Sequence, residues 1–448
     1  MSNQLKTIWV DTIISPEWIA TASHQGLLTN HSVIINDSTI LDIIPTSDVQ
    51  TQYQSNDHFI LENQILTPGF INTHGHAAMT LFRGFADDLP LMTWLQEHIW
   101  PNEFKWLSSG FTTTGSELAI AEMIKSGTTT FSDNYFFSDD VGEVAIRTGI
   151  RAQLCPTILS MPTAWAKTTD DYLQRAIDTH HKFKDSPLVT GALGPHSPYA
   201  LSDKDLEKVA MHSQDLDCMV QMHVHETEDE IKDSLAQYFC RPLARLERVS
   251  LLNSRLQAVH MTQLTEFEVE LIAKNNVNVL HCPESNLKLA SGFCPVNSLM
   301  QSGITVALGT DGAASNNDLD MLGEMRTASL LSKAVAQDAT ALSAENTLKM
   351  ATIEGAKALK IDQKTGSIEI GKAADLCATA LSEFANMPIY SPISQLIYTA
   401  TRDQITHVWV AGKLLLNKKE LTTIDCDALK ENVSMWHQKI RYPNPVGD

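Results

Sequence analysis

Two kinds of apolar pattern divide the chain. Residues 1 to about 66 carry short β-rich runs, KTIWV, SVIIN and TILDII, broken by Asn, Asp, Ser and Pro, which predict strands joined by tight turns and no helix of useful length. From about residue 67, short apolar runs alternate with longer segments whose apolar residues recur at helical spacing. The runs are GFINT (69 to 73), TTTFS (128 to 132), RAQLCPTI (151 to 158), LVTGAL (188 to 193), CMVQMH (218 to 223), LQAVH (256 to 260), VNVLH (277 to 281) and ITVALG (304 to 309). Between them lie amphipathic segments such as SDKDLEKVAMHSQ, where Ser202 is placed to cap the first turn and Asp205 to act as the reciprocal capping acid. Eight such strand–helix units over about 250 residues predict an α/β fold, a parallel (β/α)8 barrel of TIM type ringed by helices. A doubly wound sheet fits less well, because no G-x-G-x-x-G follows the first strand.

After residue 366 the β pattern returns in GSIEIGKAADLCATAL and in THVWVAGKLLLNK, an apolar alternation that turns at Ala411-Gly412. The expected organisation is therefore a small β-sandwich domain formed by both chain ends, 1–66 plus 367–448, and a barrel over 67–366.

Composition narrows the classes of function. At 448 residues and 43% hydrophobic, the chain can bury a large core. Its 33 Lys and Arg against 53 Asp and Glu give a net charge of -20, which repels phosphate backbones and anionic lipid, so no nucleic acid or membrane partner is expected. Seven cysteines, scattered without a C-x-x-C pair, indicate neither a disulfide framework nor a structural zinc site. The opening MSNQLKTIWVDTII has no apolar core of signal-peptide length, and no apolar run approaches the roughly 20 residues that span a membrane. A cytoplasmic protein is expected, and a homo-oligomer by analogy of fold alone.

The candidate chemistry lies at the ends of the predicted strands, which is where barrel enzymes carry their sites. His74 and His76 follow the first strand, and residues at i and i+2 of a strand share a face, so both rings can reach one ion. Strand four leads into GPHSPY with His196, strand five into HVHETED with His223, His225 and Glu226, strand six ends at His260, strand seven at His281, and strand eight runs on to Asp311 in TDG. Any one of these is explained by a core histidine or a loop acid; six strand ends of eight are not. Neutral imidazoles with one carboxylate suit zinc or a similar first-row ion. His74, His76, His223 and Asp311 are the expected ligands of a single divalent ion, Zn2+ first among the candidates, which lowers the pKa of a water toward about 7. A second ion normally needs a bridging group such as a carboxylated lysine, and LVTGALGPH contains no lysine.

The runs PGFINTHGH, HVHET, GTDG and GSIEIGKAADL resemble the amidohydrolase superfamily over nearly the whole chain. Three longer runs, LFRGFADDLPLMTWLQEHIWPNE, GPHSPYALSD and HCPESNLKLASG, are similar to the methylthioadenosine/S-adenosylhomocysteine deaminases and their chlorohydrolase-like neighbours. The resemblance implies a barrel with a β-sandwich from both ends and hydrolytic deamination of an adenine nucleoside. In that chemistry Glu226 protonates the ring nitrogen, Asp311 also takes the proton of the attacking water, and His260 holds the developing oxygen. The family's ribose-binding glutamate falls at Glu103 in WPNE, where a carboxylate accepts from two vicinal hydroxyls. His196 is expected against ribose or purine and Trp94 against the 5' thioether, while His225 and His281 are expected in supporting or core positions.

Some family members carry arginines after strand three that meet the homocysteine carboxylate. Here that region reads PTILSMPTAWAKTTDDY, without arginine, which favours 5'-methylthioadenosine or adenosine over S-adenosylhomocysteine. The competing readings are a chlorohydrolase, another purine or pterin deaminase of the same superfamily, and a barrel that has lost catalysis. The ligand set and Glu226 are complete, which argues against the last. The H-x-E and P-C-x-x-C deaminase chemistry is excluded, because HCPES has no second cysteine at the needed spacing.

Overall fold

The computed structural model describes residues 7–442; residues 1–6 and 443–448, the outermost parts of both predicted end segments, lie outside the described residues. The eight predicted runs form β1 Phe70–Gly75, β2 Thr128–Asp133, β3 Arg151–Leu154, β4 Val189–Gly191, β5 Val220–Val224, β6 Leu256–His260, β7 Asn278–His281 and β8 Val306–Leu308. β1 to β4 pair in parallel in chain order, and so do β5 to β8. A parallel bridge between Leu193 and Val220 links the two sets on one side. On the other, the Thr73 hydroxyl donates to the Leu308 carbonyl at 2.8 Å and the Asp311 amide to the His74 carbonyl at 3.0 Å. This is a TIM-type α/β arrangement in which every strand delivers its C-terminal end to the same side. Most of their residues are buried, as expected for parallel strands covered on both faces.

Two runs are interrupted where the apolar pattern predicts one continuous strand. The third stops at Leu154 and resumes as Thr157–Ile158, since Pro156 has no amide to give to a ladder. The fourth likewise resumes as Gly194–Pro195, which pairs with Thr157–Ile158. In the helix Asp203–Leu216 the Ser202 side chain caps as expected by accepting from the Asp205 amide. The reciprocal half of the capping box does not form: the Ser202 hydroxyl donates to the Asp205 carboxylate at 2.6 Å, which takes that carboxylate away from the backbone.

The chain ends meet in one nine-stranded sheet. Leu376–Ala380 pairs antiparallel with Asp57–Pro68, which itself runs parallel to Thr12–Ala20. Ile405–Val410 and Lys413–Asn417 extend the sheet on one side, joined by the turn at Ala411 (φ 48°) and Gly412 (φ 75°). His31–Asn36 and Thr39–Pro45 extend it on the other. A buried ion pair ties this sheet to β3: Arg151 Nε lies 2.9 Å from Asp375 Oδ2, and Asp375 Oδ1 also accepts from the Ala411 amide. Asp57–Pro68 then feeds directly into β1 through Gly69. A Cβ there would lie 2.0 Å from Thr129 Cγ2, so only glycine lets the chain pass from sheet to barrel strand at this point.

Candidate active site

The common end of the strands gathers the predicted donors. His74 lies within β1 and His76 just beyond it, and their Nε2 atoms are 3.5 and 3.2 Å from Asp311 Oδ1. His223, near the end of β5, sets its ring 4.8 Å from that of His74. Two overlapping donor groups result, His74 with His76 and Asp311, and His74 with His223 and His260, each with ligand atoms within 4.8 Å of one another.

Every one of these rings is held through Nδ1. His74 meets Gln221 Oε1 at 2.7 Å, His76 the Asn134 carbonyl at 2.6 Å, His223 the His196 carbonyl at 2.7 Å and His260 Asn286 Oδ1 at 2.9 Å. Because these oxygens accept, Nδ1 carries the hydrogen and the Nε2 lone pair is left for the centre. His74 Nε2 is buried without a hydrogen-bond partner. An unpartnered imidazole nitrogen between two more imidazoles and a carboxylate is a donor set that fits a first-row divalent cation.

Burial and the Asp311 charge dominate the local electrostatics, and the closeness of Asp311 raises His76, against burial, to about 9. Burial alone would raise Asp311, but the neighbouring His74 and His76 hold it well below the ordinary carboxylate range. Burial keeps His223 neutral, its pKa well below the usual value. Asp311 (φ 62°) and His260 (φ 75°) both occupy the left-handed backbone region, strain that their neighbours must hold in place at the strand ends.

Glu226 follows His223 by three residues and is buried beside the same centre. Its amide donates to Glu230 Oε2 at 2.7 Å, its carbonyl accepts from the Thr262 hydroxyl at 2.7 Å, and its Oε1 lies 3.8 Å from His260 Nε2. Burial, with the Asp311 charge adding to it, pushes the carboxyl up to about 8.

Above this base opens a cavity of about 590 Å³. His76, His196, His223, Glu226, His260 and Asp311 contribute to its lining. One wall is the segment Trp94–Ile99 with the helix Trp100–Trp106. Trp94 lines this wall and is almost wholly covered. Glu103 sits in the helix, receives the Tyr135 hydroxyl at 2.6 Å, and is pushed by burial to about 7. No lysine or arginine among the described residues lines the cavity. His225 and His281 are buried outside the lining: the His225 Nδ1 pairs with the Gln263 carbonyl, and the His281 Nδ1 has no partner.

The structure thus brings the strand-end residues together, and the strand-end reading misses the residues that aim them. Gln221 was legible, since it stands two residues before His223 on the same strand face. Ser285, whose hydroxyl donates to Asp311 Oδ2 at 2.6 Å, and Asn286 lie in HCPESNLKLASG, yet no spacing rule assigns them a partner. Tyr135 and Glu230 gave no signal at all.

Fold and donor set together define a metal-binding hydrolase site at the C-terminal ends of parallel strands. Residues 65–415 match the Amidohydrolase family, and the chain belongs to it. It is 45% identical over 98% of its length to 98% of a 5-methylthioadenosine/S-adenosylhomocysteine deaminase of Saccharophagus degradans. It is also similar to the crystal structure of an adenosine deaminase from Xanthomonas campestris with bound zinc (TM-score 0.96, 47% identity, 97% of this chain and 100% of that one). Atrazine chlorohydrolase from Arthrobacter aurescens, in complex with zinc, shares the fold at 22% identity (TM-score 0.88, 95% of this chain and 100% of that one).

Proposed function

We propose that this protein is a metal-dependent hydrolytic deaminase of adenine nucleosides, which converts 5'-methylthioadenosine and water to the inosine analogue and ammonia. Adenosine is an alternative substrate and S-adenosylhomocysteine a poorer one. In this reading the eight strands close as a (β/α)8 barrel over 67–366, and the two chain ends, 1–66 and 367–448, form the β-sandwich domain. The observation that carries the reading is the placement of a buried Glu226 beside His260 and a cation-ready donor set in one cavity.

His74, His76, His223 and Asp311 would hold a single divalent ion, zinc by preference. When bound, such an ion supplies the acidity that makes water a nucleophile near neutral pH. Asp311, kept anionic, takes the water's proton. Glu226, protonated at neutral pH, gives its proton to the ring nitrogen next to the amine-bearing carbon and receives the proton that must reach the leaving amine. His260, its ring fixed through Nδ1 by Asn286, presents Nε2 to the oxygen and, once that nitrogen has taken up a proton, donates to it as charge develops there. The C–N bond breaks, a C=O replaces it, and ammonia leaves.

Glu103 accepts from the ribose hydroxyls, His196 contacts ribose or purine, and Trp94 covers the 5' substituent. A cavity whose charged lining groups are acids has nothing to pair with a homocysteine carboxylate, which supports the preference for 5'-methylthioadenosine. Seven free cysteines fit a reducing compartment, in keeping with a cytoplasmic enzyme, and no helix of the described residues is long and apolar enough to cross a membrane. A homo-oligomer remains an expectation from fold analogy.

Steady-state deamination of 5'-methylthioadenosine, adenosine, S-adenosylhomocysteine and guanine, with chloride release from a chlorotriazine measured beside it, tests the reading. The highest kcat/KM is expected for 5'-methylthioadenosine. Equal or better turnover of S-adenosylhomocysteine would contradict the selectivity, and chloride release without nucleoside deamination would contradict the reaction.

A further inference from the structure

Tyr135 stands two residues beyond the end of β2, and its hydroxyl makes the one side-chain hydrogen bond that Glu103 has among the described residues. The two groups belong to elements of different character. Tyr135 is buried on the parallel-strand framework, with its ring 5.3 Å from Phe136 and 6.5 Å from His76. Glu103 belongs to a helix of only seven residues whose neighbours Asn102 and Phe104 are partly or largely exposed. Both line the cavity.

A free glutamate side chain spreads over many rotamers, and ordering it at the moment of binding costs affinity. A carboxylate offers about four acceptor positions. The phenol occupies one on Oε1 and fixes the rotation of the group, so the others are already oriented when a diol arrives. We infer that Tyr135 is the positioning residue of a ribose selector, holding the Glu103 carboxylate so that its remaining lone pairs receive both vicinal hydroxyls of the sugar. This rests on the reading in which Glu103 meets the ribose.

A plain latch, fastening the short helix to the strand end, would use the same hydrogen bond. The two roles differ in what they do to selectivity. A selector discriminates between substrates that differ by one hydroxyl, whereas a latch affects all substrates that fill the cavity alike.

The test compares kcat/KM for 5'-methylthioadenosine with that for its 2'-deoxy and 3'-deoxy analogues, in zinc-loaded wild type and Tyr135→Phe. Wild type should prefer the intact diol by at least about tenfold, the scale of a hydrogen bond to a charged group. In Tyr135→Phe that ratio should fall at least about fivefold, through KM for the diol, with kcat within about threefold and the melting temperature unchanged. An unchanged ratio, with all three substrates weakened equally, overturns the inference in favour of a latch. Replacement of Tyr135 by 4-aminophenylalanine keeps a donor on the ring and serves also if Tyr135→Phe does not fold. The ratio should recover toward wild type, and a ratio as low as about one overturns the inference. A wild type indifferent to loss of either hydroxyl overturns it while leaving deamination in place, whereas a zinc-loaded wild type inert toward every adenine nucleoside overturns both.

Discussion

Ser285 donates its hydroxyl to Asp311 Oδ2 at 2.6 Å, while Asp311 Oδ1 faces His76 Nε2 at 3.2 Å. The two oxygens of one carboxylate are thereby assigned different work, and the residue that assigns them comes from the helix Pro283–Lys288 beyond β7. In Ser285→Ala the carboxylate loses its anchor and turns more freely. We expect kcat/KM to fall by about tenfold and zinc affinity to fall in the same range, as for other groups that orient metal ligands. Titration of the apoprotein with zinc, alongside steady-state kinetics, checks both; unchanged values in each would show that Asp311 is held by its histidine partners alone.

Glu226→Gln removes the transferable proton and keeps the shape. The expected loss is about 10²- to 10⁴-fold in kcat, with zinc content and nucleoside binding retained, because the change touches a proton transfer and none of the four ligands. Full turnover in this variant would remove Glu226 from the mechanism. Elemental analysis of the same preparations separates that outcome from simple metal loss.

Removal of divalent ions by a chelator should abolish deamination, and one equivalent of zinc per chain should restore it. Since an ion that binds only the folded state stabilises it by about 2.7 kcal/mol at a concentration 100 times its Kd, the melting temperature should rise on reloading. The His74→Ala variant should lose both effects. A requirement for two equivalents would contradict the single-ion reading.

His407 supplies a prediction far from the cavity. It is buried in the terminal sheet, stacked on Trp409 at 5.5 Å, with Nε2 unpartnered, and burial pushes its pKa down to about 4. In the unfolded chain a histidine titrates near 6.5. Between these values the unfolded state binds more protons, so stability is complete above about 6.5 and is lost as the pH falls toward 4. His407→Phe should narrow the difference in melting temperature between pH 7.5 and pH 5 by about 2 °C. His196 and His281, each pushed by burial to about 3, and His225, to about 4, will keep part of the acid sensitivity. An equal pH response in wild type and variant would mean that His407 is protonated at little cost.

Much of this architecture follows from local chemistry. Alternating short β-prone runs and helical segments dictate parallel strands, because the runs are buried on both faces and each intervening segment has one face to bury. Parallel strands send their C-terminal ends to one side, so histidines and acids at strand ends had to converge, and His74, His76, His223, Glu226, His260 and Asp311 do so. What local pattern could not decide were contacts between residues distant in the chain. Ser285 meets Asp311 across 26 positions, Tyr135 meets Glu103 across 32, and Gln221 meets His74 across 147. A hydrogen bond depends on separation and angle in space, and neither is encoded in a periodicity of 2 or 3.6. The kind of chemistry was therefore written in the strand ends, whereas the aim of each group, its protonation and the shape of the cavity above it arose only when the strands were brought together.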